Sequence, residues 1–140
     1  MTVPENMEGR CIVITGAGRG LGAAFAIVLA DAGAKVVLTG RTPGPLESTR
    51  DAITQRTGQH PDIQILDLSS PLDAAQIARD LAGRNNGIDG LINNAATWQT
   101  GSLADHDDAE IAAVINSHVT GSLLVTRALA PALTAAPAAD

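Results

Sequence analysis

Short apolar runs rich in β-branched residues alternate along the chain with longer, alanine-rich stretches of helical spacing. Cys11 to Thr15, Lys35 to Thr39, Ile63 to Leu66 and Ile88 to Asn93 are short, mostly apolar and bounded by Gly, Pro or Asp, which predicts strands buried on both faces. After the first run, Leu21, Phe25, Val28 and Leu29 recur at helical spacing, and Gly33 stands where a helix end needs a left-handed residue. A second helix is predicted from Pro45 to Thr57 with Gly58 after it, and a third from Pro71 to Ala82 with Gly83 after it. A fourth follows Asp105, where Asp107, Asp108 and Glu110 favour the positive end of the helix dipole.

Strict β-α alternation implies a parallel sheet with helices on both faces, joined by right-handed crossovers. The predicted fold class is therefore α/β and Rossmann-like. Residues 1–140 are expected to form a single domain of this class, incomplete at its C-terminus, with an Ala/Pro-rich tail over 130–140. The sheet is expected to stop after the fourth strand and its following helix, leaving that strand as an open edge.

Composition narrows the partners. Aromatic residues make up only 1%, so base stacking is excluded as the main binding device, and a net charge of −6 argues against a nucleic-acid partner. The single cysteine, Cys11, lies in an apolar run and fits a reducing, cytoplasmic setting. The longest candidate membrane stretch, Ile111 to Leu133, is broken by Asn116, His118 and Arg127, which argues against a membrane span.

The first strand runs into Thr15-Gly16-Ala17-Gly18-Arg19-Gly20-Leu21-Gly22, a strand-turn-helix context where glycines let backbone approach a pyrophosphate at a helix N-terminus. Gly18, Gly20 and Ala23 satisfy the general dinucleotide fingerprint, while Thr15, Gly16, Gly20 and Gly22 give T-G-x-x-x-G-x-G, which resembles the short-chain dehydrogenase/reductase version. Asp67-Leu68 after the third strand resembles that family's adenine-contacting pair, and Asn93-Asn94-Ala95-Ala96 its N-N-A-G turn. Gly121-Ser122-Leu123-Leu124-Val125-Thr126-Arg127 is similar to its G-x-F-x-V-T-R stretch, which puts His118, three residues before Gly121, at the family's asparagine position.

The resemblance implies hydride transfer between a nicotinamide cofactor and a small carbonyl or alcohol substrate, by a full form that is commonly a homo-oligomer. It implies cofactor contacts at Thr15, Gly16, Gly18, Arg19, Gly20, Leu21, Gly22, Arg41, Asp67, Leu68, Asn93, Asn94 and Ala95. His118 either holds water in a proton relay or packs within its helix. Gly40 occupies the place of the acid that would meet an NAD ribose, and Arg41 follows it, which resembles members preferring NADP(H) over NAD(H). Arg19 offers a second guanidinium to the same phosphate.

The family's active-site serine and Tyr-x-x-x-Lys have no counterpart here: the chain contains no tyrosine, and its only lysine, Lys35, opens the second strand. A non-catalytic nucleotide-binding or interaction protein is the alternative. Asp105-His106-Asp107-Asp108 holds residues of metal-ligating type, but consecutive acids in a first helical turn serve the dipole, and no metal is expected. Trp98 either caps the cofactor pocket or covers an apolar edge.

Overall fold

The computed structural model describes residues 6–85, 87–97 and 99–135. Trp98 and the last five residues of the tail lie outside the described residues. Among those described, β1 (Cys11–Thr15), β2 (Lys35–Gly40), β3 (Asp62–Ile65) and β4 (Gly90–Ile92) form a parallel sheet in the order β3-β2-β1-β4. Between the strands run α1 (Gly20–Asp31), α2 (Pro43–Thr57) and α3 (Pro71–Arg84). After β4 come a 3₁₀ turn (Leu103–Asp105) and α4 (Asp108–Ile115), then a π turn (Asn116–Gly121) leading into α5 (Ser122–Ala135). The α/β, Rossmann-like class expected from the pattern is the observed one.

The two-residue period of the strands divides the core into two layers. Val13 and Val37 pack with Leu66, Leu68 and the apolar faces of α3 and α5. Ile12, Ile14, Val36 and Leu38 pack on the opposite face with α1 and α2. Burial on both faces holds for β1 and most of β2, but β3 and β4 are the sheet edges and are only partly covered.

Several boundaries differ from expectation, each for a physical reason. β4 is shorter than Ile88 to Asn93: Ile88 is buried as a core anchor before the ladder begins, and Asn93 turns away after it. β3 begins at Asp62 and ends at Ile65, since Leu66 donates its N–H to Gly40 O as the chain leaves the ladder. α2 starts two residues earlier, at Pro43, because prolines at 43 and 45 both fit a first turn.

Gly83 does not end α3, which runs to Arg84 and closes on the extended Asn85. Pro131 lies inside α5 rather than opening the tail, so helix continues to Ala135. The face that α1 buries is Gly22, Ala26 and Ala30, not the larger stripe: Leu21 is 70% exposed and Val28 41%, with Phe25 and Leu29 flanking the core. Small residues win because α1 lies close against the turn beneath it. A Cβ on Gly22 would stand 2.2 Å from Gly16 O and 2.5 Å from Asn94 Nδ2.

The start of β1 is tied to the entry of β4 by a carboxylate. Asp89 accepts from Cys11 N–H and from Arg10 Nη1, both at 2.8 Å, and returns its own N–H to Cys11 O at 2.8 Å. The Cys11 amide, then the Arg10 guanidinium, hold the Asp89 carboxyl below the usual carboxylate range. Burial pushes the Cys11 thiol in the other direction, upward, which keeps it protonated and inert.

Two predictions follow from this packing. Gly22→Ala gains up to about 1 kcal/mol of helix propensity but forces backbone to move, at about 1–3 kcal/mol, so a net loss is expected in urea melts. Gly83→Ala is its control: it meets nothing within 4 Å and is expected to stabilise by about 0.5–1 kcal/mol. The second concerns pH. Because the folded state depresses the Asp89 pKa, its contribution is present above the ordinary carboxylate pKa and disappears as pH falls through the folded value. Asp89→Asn should therefore destabilise the chain at pH 7, and the gap between variant and parent should close on acidification. A gap that stays constant with pH would contradict the clamp.

Candidate functional site

The strand order reverses direction between β1 and β4, and the loops leaving the carboxyl ends of the strands diverge there. A cleft of about 320 Å³ opens at this point. It is lined by Gly16, Gly18 and Arg19 after β1, Gly40, Arg41 and Thr42 at the end of β2, and Pro45 and Leu46 at the start of α2. Leu66, Asp67 and Leu68 after β3, residues 94–97 after β4, and Ser117 from the π turn complete the wall.

Thr15 and Asn94 hold the floor. Thr15 is 1% exposed, and its hydroxyl accepts from Asn94 N and Ala95 N, both at 3.0 Å, and reaches Ile92 O at 3.3 Å. The Asn94 side-chain amide donates to Thr15 O at 3.1 Å and to Gly16 O at 3.2 Å. The two loops are thereby joined, and Gly16, at φ 68°, is confined so that a Cβ would lie 2.8 Å from Ala95 Cα. Gly18 faces Pro45 with the same intolerance, at 2.9 Å.

Of the residues expected to meet cofactor, Gly16, Gly18, Arg19, Arg41, Asp67, Leu68, Asn94 and Ala95 border the cleft. Thr15, Gly20 and Gly22 stand outside its wall: Thr15 in the floor, and the two glycines in the first turn of α1, where Gly20 takes φ 53°. Leu21 points to solvent. Asn93 is exposed and donates from Nδ2 to Thr126 Oγ1 at 3.0 Å, so the amide that ties the strand ends together is that of Asn94. One Asp67 oxygen accepts from both the amide and the hydroxyl of Ser69 in the turn before α3.

His118 lies in the π turn with its Nε2 2.7 Å from Thr97 N, 2.7 Å from Thr97 O and 3.1 Å from Thr97 Oγ1. One ring nitrogen cannot accept from the N–H and donate to the carbonyl at once, so either tautomer ties this ring edge to Thr97. Gly121 seats the other end of the turn: a Cβ there would lie 2.6 Å from Leu68 O.

The acids before α4 serve the backbone. Ser102 with Asp105, and Asp107 with Glu110, form two capping boxes, and His106 Nδ1 sits 3.3 Å from Glu110 Oε2. No group of three metal-ligating side chains occurs among the described residues. Nor is any described helix long and apolar enough to cross a membrane. A second, more apolar cleft of about 280 Å³ lies between Leu103, His106 and the Ile111 face of α4.

No side chain caps the N-terminus of α1, whose N-cap residue, Arg19, borders the cleft. Arg19 and Arg41 border the cleft beside Gly16 and Gly18, where a Cβ would collide with Ala95 and Pro45. Thr42, Leu46, Thr97 and Ser117 were not legible as site residues, since each carries no motif and reaches the cleft only through the fold.

With that geometry in place, the comparisons assign the class. Residues 10–139 match the family described as short chain dehydrogenase, and the chain belongs to that family of oxidoreductases. It is 33% identical over 129 residues to the ketoacyl reductase HetN of a Nostoc strain, a match covering 91% of this chain and 44% of that protein. A Pseudomonas syringae structure described as a short chain dehydrogenase is 36% identical with a TM-score of 0.87, over 97% of this chain and 56% of that one. An Escherichia coli structure described in the same words and solved with NADPH is 30% identical with a TM-score of 0.85, over 92% and 55%. The chain thus spans about half the length of the relatives it matches.

His118→Ala is expected to free the Thr97 wall. Amide hydrogen exchange at Thr97 should speed up while β1 and β2 amides keep their protection. Unchanged exchange at Thr97 would show that His118 does not hold it.

Proposed function

We propose that this chain is an NADP(H)-binding unit of a short-chain dehydrogenase/reductase, with the dinucleotide lying in the cleft at the carboxyl ends of the strands. The observation that carries this reading is the mouth of the cleft, where Gly40 leaves room beside Arg41 and Arg19 adds a second cation. An acid at the end of β2 would repel a 2′-phosphate; glycine followed by arginine receives it. The glycine turn and α1 would take the pyrophosphate, and Asp67 with Leu68 the adenine side. The neighbour solved with NADPH supports the same choice.

NADPH held in the cleft would supply hydride to a carbonyl carbon, and a positioned acid that donates a proton to the carbonyl oxygen would contribute about 10²–10⁴-fold. These 140 residues contain no tyrosine for that role. Lys35 stands at the opposite end of β2 from the cleft, 3.1 Å from Asn85 Oδ1 and 3.5 Å from Asp62 Oδ2. His118 spends Nε2 on Thr97. The reading is therefore cofactor binding by these residues, with reduction of a carbonyl or oxidation of an alcohol requiring an acid-base pair that they do not carry. Exposed Ile115, Val119 and Leu123 along α4, the π turn and α5 support a homo-oligomeric full form.

Titration calorimetry tests cofactor choice. NADPH is expected to bind more tightly than NADH, and Arg41→Ala to weaken NADPH by about 1.5–3 kcal/mol, roughly ten- to more than a hundredfold, with little effect on NADH. Equal affinity for both cofactors in the parent chain would overturn the preference. A second measurement follows NADPH absorbance with a panel of ketones and aldehydes. No turnover is expected from the 140-residue chain, and steady oxidation abolished by His118→Ala would mean that the acid has been misplaced.

A further inference from the structure

One imidazole nitrogen meets a donor and an acceptor of the same residue at the same distance. His118 Nε2 lies 2.7 Å from Thr97 N, 2.7 Å from Thr97 O and 3.1 Å from Thr97 Oγ1. A bare Nε2 accepts from the Thr97 N–H and leaves the carbonyl without a donor, whereas a protonated Nε2 donates to the carbonyl and leaves the N–H without an acceptor. The Thr97 hydroxyl fits either state, because it both donates and accepts. Adding a proton to the ring therefore reverses the contact without undoing it.

No other described group fixes the charge of the ring. His118 Nδ1 bonds none of them, and no enclosed side-chain nitrogen among the described residues lacks a partner, so Nδ1 is open to solvent protons. Nor does an ion pair among the described residues include His118. The π turn packs against α3, α4 and α5, whose ionisable side chains are exposed. Those of α3 are Asp73, Arg79, Asp80 and Arg84, those of α4 are Asp108 and Glu110, and α5 carries Arg127. In the cleft wall, Asp67 is bonded to Ser69. Imidazole as a group changes charge between about pH 5 and 8. Thr97 and Ser117, the residues bonded to and preceding His118, both line the cleft, so a charge formed on the ring is felt there.

We propose that His118 and Thr97 form a proton-operated clasp that regulates the cleft: on acidification the ring donates to Thr97 O, releases the Thr97 N–H and adds positive charge beside an anionic ligand. The proposal rests on the NADP(H) reading and adds regulation to it. A cation favours the bound anion, so the protonated chain binds the dinucleotide more tightly, and by reciprocity bound dinucleotide makes the ring harder to deprotonate. The test uses the 140-residue chain and His118→Gln, whose side-chain amide accepts or donates but does not change charge. In the ligand-free chains, nitrogen shifts of the labelled ring and hydrogen exchange at Thr97, corrected for its intrinsic pH dependence, are followed from about pH 8 to about pH 5.5. The parent should lose Thr97 protection in step with ring protonation, and the variant should show no such step. Thr97 protection that ignores ring protonation would overturn the clasp. Calorimetry with NADP⁺, which survives acid, then compares the chains, since titration of its 2′-phosphate affects both and cancels in their ratio. The ratio of parent to variant affinity should rise roughly two- to fivefold from about pH 8 to about pH 5.5. A ratio independent of pH would overturn the regulation and leave the NADP(H) reading standing. A parent chain that binds no NADP⁺ at either pH would overturn the reading and the regulation together.

Discussion

The structure depends on the bonds between Thr15 and Asn94. β1 and β4 are neighbours in the sheet although 79 positions separate these two residues. The Thr15 hydroxyl accepts two amides from the loop after β4, and the Asn94 amide returns two bonds to the carbonyls of Thr15 and Gly16. Buried polar groups in such an arrangement are costly if any bond is missing, so the four bonds specify one geometry for both loops. The consequences reach outward. Gly16 must take a left-handed turn against Ala95, Gly22 must lack a side chain, and α1 is drawn down until its alanines touch the sheet.

The cleft grows from the same constraint. Drawing α1 close sets its uncapped N-terminus next to the cleft wall, and Gly16 and Gly18 in the turn before it have no space for side chains. Arg19 and Arg41 then concentrate positive charge at a cleft in a chain whose net charge is −6. Local field, not net charge, decides what an anion meets there. Leu66, Asp67 and Leu68 after β3 and Ser117 from the π turn line the rest of the cleft.

Much of this was legible in the sequence, because it is written in local chemistry. β-branched runs marked the strands, Gly33 and Gly58 marked left-handed turns, and the glycine-rich stretch after β1 marked the tight turn into α1. What was not legible depends on distant packing. The apolar stripe at Leu21 and Val28 suggested the buried face of α1, but the close contact with Gly16 O admits only small residues, and the larger ones turn outward. Gly83 looked like a helix stop, yet no left-handed turn is needed there, and α3 continues past it. Ser117 and Thr97 carry no motif. They line the cleft through the fold alone, Ser117 from the π turn and Thr97 where it is bonded to His118.

The central claim, that the junction of Thr15 and Asn94 builds a dinucleotide cleft, is tested most directly by titrating the isotopically labelled chain with NADPH and following backbone amide shifts. The account predicts perturbations concentrated at Gly16, Gly18, Arg19, Arg41, Asp67 and Ala95, all lost in an Asn94→Ala chain that remains folded. Perturbations centred instead on the second cleft, at Leu103, His106 and Ile111, with the glycine turn silent, would contradict it.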